Sequence, residues 1–192
     1  MSADALFNVT QALRVRLEDA LSGPGSVFVG PLDDPDAKGA SLVLFLYRIA
    51  PNASLRNSEH QVISDLPPND VITYRNSLPL VLHYLLTVGT LPGAPEDPLL
   101  QLLGRAIRAL NDVPELTGVK VGHDTVTVSL DPVSTEEMSR IWTLFPTANY
   151  RTSVAYVATP VWIDPEDLPT EAARVVEASL LGAPKIGEPA DA

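Results

Sequence analysis

Apolar residues near the start of the chain recur at spacings of three and four. Leu6, Val9, Leu13, Leu17 and Leu21 share one face of a helix predicted over 2–21. Ser2 or Asp4 can cap its start, and Gly23-Pro24-Gly25 ends it. Residues 26–30 read as a short strand. Residues 41–49 run almost without a polar break, which predicts an interior strand covered on both faces. A second long strand spans 78–88, with Leu80, Leu82, Tyr84, Leu86 and Val88 on one face and Pro79, Val81, His83, Leu85 and Thr87 on the other. A helix follows over 98–111, with Asp97 as N-cap and Pro98 at its first position. Leu99, Leu103, Ala106 and Leu110 form its core stripe, widened by Leu102 and Ile107.

Further on, residues 119–130 suggest a hairpin turning at Gly122-His123-Asp124, with Val126, Val128 and Leu130 opposite a wet face of Thr125, Thr127 and Ser129. Ser134-Thr135-Glu136-Glu137 is a capping-box pattern opening a helix to Phe145. Residues 150–163 form the last long strand. Pro160 inside it predicts an edge position or a bulge, because proline cannot donate to the ladder. The stretch 50–77, holding Pro51, Pro67 and Pro68, is expected to be irregular. It reads either as a partner site or as a plain surface insertion. The fold class expected is α/β (α+β): a mixed, largely antiparallel sheet of about four to six strands, flanked by the N-terminal helix and two further helices.

Composition changes this picture in a few places. At 192 residues and 45% hydrophobic, the chain suits one domain with a sizeable core. The domain is expected over 1–164. Residues 165–192 carry six acidic and two basic side chains and read as an acidic extension, with a short helix over 170–181 and a flexible tail. The net charge of −11 and the absence of a basic run disfavour nucleic acid and anionic membranes as partners. There is no cysteine, hence no disulfide, thiolate metal site or cysteine nucleophile. No apolar run reaches the ~18 residues of a membrane helix, and the N-terminus lacks the order of a signal peptide. The expected location is therefore the cytoplasm. The sequons at Asn8 and Asn52 then read as chance.

Catalytic patterns are missing. His60, His83 and His123 have no metal-ligand spacing, and His83, inside a strand, reads as a satisfied structural histidine. Neither a nucleophile elbow nor a glycine-rich phosphate loop is present. Asp33, Asp34 and Asp36 lie in a Pro/Gly-rich loop without the alternating ligands of a calcium loop, and read as solvated. The expectation is a non-enzyme with no cofactor and no metal. The binding signals are stronger. FLYRIAPNASLRN, residues 45–57, sets Tyr47, Arg48, Asn52, Leu55, Arg56 and Asn57 just after a buried strand. Arginines there can fork onto carboxylates or carbonyls, and asparagines suit the turn. Loop anchoring and subunit contact are both open readings. Tyr156 and Trp162 on the last strand complete the candidate contacts.

Several segments taken in order carry a resemblance. FLYRIAPNASLRN, SLPLVLHYLLTVG, LLGRAIRALNDVPELTG and LDPVSTEEMSRIWTLFPTANYRTSVAYVATPVWID resemble the cap, or tail-terminator, proteins of phage-tail-like contractile injection systems. The opening helix followed by VFVGPLDDP fits the same family, so the likeness spans about 2–164. The resemblance implies a structural protein forming a homohexameric ring on the last layer of an inner tube and sheath, with itself, sheath and tube proteins as partners. A phage tail-completion or adaptor protein is the alternative within the same class, and an enzyme of unrecognised type the alternative outside it.

Overall fold

The computed structural model describes residues 3–21, 23, 25–63, 71–89, 96–118, 121, 124–166 and 170–172. Helix α1 runs Ala5–Ala20 and buries Ala5, Val9, Leu13 and Leu17. The strands are β1 (Val27–Val29), β2 (Leu42–Pro51), β3 (His60–Ile63), β4 (Val71–Tyr74), β5 (Leu78–Val88), β6 (Glu115–Leu116), β7 (Val126–Leu130), β8 (Ser153–Ile163) and β9 (Thr170–Ala172). Helices α2 (Glu96–Asp112) and α3 (Thr135–Trp142), with short 3-10 turns at Pro35–Ala37 and Ala53–Leu55, complete the described elements.

Six strands form one sheet in the order β1-β2-β5-β8-β7-β6, antiparallel except for the β1–β2 pair. The two apolar faces of β2 and β5 then bury different clusters. Leu42, Leu44, Leu80, Leu82, Tyr84, Leu86 and Val88 pack under α1 and α2, which contribute Val9, Leu13, Leu17, Leu99, Leu103, Ala106 and Leu110. Val43 and Leu85 point the other way, into a smaller cluster with Ile141, Trp142 and Phe145 of the α3 region. This is the strict two-residue alternation of a strand applied to a sheet sandwiched between helices. The fold class expected from the pattern is the one observed, with three helices among the described residues.

Four details differ from expectation. Among its described residues, the stretch 50–77 is not irregular throughout. The β-branched runs HQVI and VITY pair as the β3–β4 hairpin, and β9 joins β4 to make a second, three-stranded sheet. The helix predicted from Thr170 is therefore a strand over 170–172, because β4 offers it a ladder that local propensity cannot see; its remainder lies outside the described residues. The hairpin before Leu130 uses Glu115–Leu116 rather than residues from 119 as its first strand. Gly122 and His123 of the expected turn lie outside the described residues. Helix α2 begins at Glu96, which puts Asp97 inside the first turn instead of at the cap.

Pro160 behaves as its chemistry requires. Strand β8 lies between β5 and β7, so it is not an edge, but its register against β5 shifts as Leu80 faces Val161 and Leu82 faces Ala158. Val81 of β5 thus opposes both Thr159 and Pro160 of β8, a bulge. Pairing with β7 stops at Thr159, so the proline nitrogen meets no ladder partner there. The capping box is formed as written: the Ser134 hydroxyl accepts from the Glu137 amide, and the Glu137 carboxylate accepts from the Ser134 amide.

Candidate assembly surface

Two features stand out beside the core. The first is a buried polar knot that ties the small sheet to the large one. His60, at the start of β3, is 2% exposed. Its Nδ1 lies 2.7 Å from Asp164 Oδ1, just after β8, and its Nε2 lies 2.8 Å from Asp124 Oδ1, just before β7. The Ser77 hydroxyl donates to the same Asp164 oxygen at 2.7 Å. The imidazole stacks on Trp162, with centroids 4.8 Å apart, and on Tyr74 at 5.7 Å. Both ring nitrogens are thus engaged, and two aromatic rings stack on the imidazole. The second oxygen of Asp124 is buried without a hydrogen-bond partner among the described residues.

The second feature is the outer edge of β2. Strand β1 covers β2 only at Leu42–Leu44, and the Gly30 amide closes that pairing on the Leu44 carbonyl. Beyond it, no described strand lies beside Leu46–Pro51 on that side. The register shifts between Leu46 and Arg48, so Tyr47 sits at a bulge. Arg48 is exposed and Ile49 is 47% exposed. Next to this edge is a cleft of about 270 Å³ lined by Tyr47, Arg48, His83, Asp131, Glu137 and Arg140, among others. His83 Nδ1 is 2.9 Å from Asp131 Oδ2, the satisfied structural role its strand position suggests. Burial first, and then the charge of Asp131, push the Tyr47 hydroxyl above the usual tyrosine range. Among the described residues, no group of acidic and histidine side chains could hold a metal ion, and no helix is long and apolar enough to cross a membrane.

The comparisons with known proteins join this geometry to a family. Residues 8–177 match the Pvc16 N-terminal domain. The chain belongs to that family. Among solved structures, the Pvc16-type fold seen here is similar to the PVC sheath/tube terminator of an extracellular contractile injection system in its extended state. The TM-score is 0.60 at 17% identity, over 95% of this chain and 65% of that one. It is also similar to the tube-terminating cap of the anti-feeding prophage, with a TM-score of 0.57 at 20% identity over 95% and 62% of the two chains. The chain spans just under two thirds of the length of these solved caps. No curated protein sequence matches it.

Within this Pvc16-type domain, the residues singled out from sequence do not form one patch. Tyr47 and Arg48 lie together at the β2 edge and its cleft. Asn52 follows directly; its side-chain amide donates to Thr159 Oγ1 at 3.0 Å, and its Oδ1 accepts from the Ser54 amide at the start of a short 3-10 turn. It anchors the turn to β8. Leu55 is half-buried in that turn, while Arg56 and Asn57 are exposed beyond it. Tyr156 and Trp162 present no outer surface. Tyr156 is in the main core, where burial pushes its hydroxyl up, and Trp162 is covered by His60. Nor is the β8 ladder open to a neighbour over Tyr156–Thr159, since β5 and β7 occupy both sides.

His60, Asp124, Asp164 and Ser77 are not legible as a group in the sequence. Their separations carry no recurring spacing, and Asp124 reads as a turn residue. The one signal is His60 alternating with Val62 in a β-branched run, since a histidine in a buried strand position needs partners.

Proposed function

We infer that this chain is a non-enzymatic cap: a ring-forming terminator on the end of the inner tube and sheath of a contractile injection system. The observation that carries the reading is the similarity over 95% of the chain to two solved terminators, within a family match of 8–177. Tube and sheath are head-to-tail stacks with no natural stopping point, so growth ends only when a subunit binds the last layer and offers no surface for the next. A homohexamer, assembled in the cytoplasm of the producing cell, meets that need. Tyr47, Arg48, Arg56 and Asn57 are its accessible candidates for contact with sheath, tube or neighbouring subunit. Asn52 and Leu55 hold the turn that presents the last two. Residues 165–192 are read as an acidic extension whose start, β9, is laid on the small sheet.

Electron microscopy of particles from cells lacking the chain tests this reading. Tubes and sheaths of uncontrolled length, or particles that fall apart, are expected. Particles of normal length and stability would sink the terminator role.

A further inference from the structure

We propose that the outer edge of β2, Leu46–Pro51, receives an extended strand from another protein of the particle, and that this strand carries a carboxylate facing Arg48. The inference deepens the cap reading and rests on it for the identity of the assembly. Its geometric basis is separate.

An unpaired strand edge is a template for another strand, and this one carries a bulge, a cation and a proline, devices that block indiscriminate pairing and leave room only for a strand of matching charge. Here the neighbour strand β1 stops at Val29, and among the described residues Leu46–Pro51 pair only with β5. The segment ends at Pro51, which cannot donate, so an added strand has a defined stop. The two sides of the edge differ in chemistry. Leu46 and Ile49 lie toward the face covered by α1 and α2: Leu46 packs against the main core, and Ile49 pairs with core residue Leu82. Arg48 lies on the other side, opposite His83 and at the mouth of the cleft.

Charge decides what fits. Every other charged side chain lining that cleft is already engaged. Asp131 is bonded to His83, Glu137 to Ser134, and Arg140 to Glu136 at 2.6 Å. Arg48 acts on Glu137 and Tyr47 only electrostatically, and among the described residues it makes no hydrogen bond or close ion pair. An incoming strand alternates its side chains with a period of two, so one that sets an apolar residue beside Ile49 sets the next beside Arg48. A carboxylate at that position completes a cross-strand ion pair. The same cation, with the bulge at Tyr47, discourages a second copy from pairing edge to edge, because Arg48 would approach its own counterpart.

The test uses the full chain, isotopically labelled, and two short synthetic peptides. Each alternates valine with threonine; one has glutamate and the other lysine at the central polar position. Amide shifts confined to Leu46–Ile49 and their β5 partners are expected, with the glutamate peptide binding about fivefold tighter. Arg48→Glu should reverse that preference, and Arg48→Lys should keep its sign. Equal binding of both peptides would overturn the charge selection. No shift at millimolar peptide, or shifts at this edge that depend on protein concentration alone, would overturn the strand-receptor role. In producing cells, Arg48→Glu is expected to give particles with the uncontrolled length of the deletion. Normal particles from that variant, beside abnormal ones from the deletion, would remove this surface and leave the cap reading standing.

Discussion

Replacing His60 with alanine tests the knot between the two sheets. The side chains of Asp124 and Asp164 are 9% and 5% exposed, and each lies within 2.8 Å of a different ring nitrogen. Removing the imidazole leaves two buried carboxylates without their shared partner. Leaving a buried polar group without its hydrogen-bond partner typically costs about 1–3 kcal/mol for each group, and the lost stacking on Trp162 and Tyr74 adds about 0.5–1.5 kcal/mol for each ring pair. Against a typical domain stability of about 5–15 kcal/mol, that is a large fraction. The assay is urea denaturation of the parent, His60→Ala, Asp124→Asn and the double variant. His60→Ala should lower the midpoint strongly. Asp124→Asn should cost less in the His60→Ala background than in the parent, because the hydrogen bond to the ring is then already lost. A loss below about 1 kcal/mol for His60→Ala, the scale of an exposed pair, would refute the reasoning. So would strict additivity of the two changes.

Other predictions concern the supporting frame. Ser134→Ala removes the cap of α3 and should cost about 1 kcal/mol in denaturant unfolding. Hydrogen bonds from the Ser134 amide and hydroxyl hold the Glu137 carboxyl below the usual glutamate range. Its contribution is therefore present above the unfolded-state value and lost as pH falls through the lower folded-state value, and the acid limb of the stability curve should flatten in the variant. Burial raises the Tyr84 hydroxyl to about 12. It favours the neutral form in the folded state, so stability from this group is full below the ordinary tyrosine range and declines as pH rises toward that value; ultraviolet titration should place Tyr84 last among the late-ionising tyrosines, after Tyr47 and Tyr156, and Tyr84→Phe should remove that last step. Gly104 is an exposed position inside α2 with nothing within 4 Å of the place a Cβ would occupy, so Gly104→Ala should raise stability by about 0.5–1 kcal/mol. Gly89→Ala should unfold the chain or leave it insoluble, because its Cβ would meet the Ala40 carbonyl oxygen at 1.9 Å.

The hydrophobic pattern located α1, β2, β5, α2 and β8, because each is long and buries a periodic face, and the capping box at Ser134–Glu137 located α3. The core stripes of α1 and α2 and the two faces of β5 followed from spacing, and an edge or a bulge at Pro160 from the missing amide donor, of which the structure takes the bulge. The family was legible from the order of the segments. What the pattern could not reach were pairings between distant short pieces. The small sheet draws strands from residues 60–63, 71–74 and 170–172, each too short to declare itself against prolines and polar neighbours. Tyr156 and Trp162 read as candidate contacts because alternation says which residues share a face, not whether a neighbour or the chain itself covers that face. The His60 knot joins positions separated by 64 and 104 residues, and no described strand flanks Arg48 on its outer side because β1 is only three residues long. Local sequence determines how a segment alternates. Only the tertiary structure decides what lies against each side of it, because burial and pairing are properties of the neighbour and not of the strand.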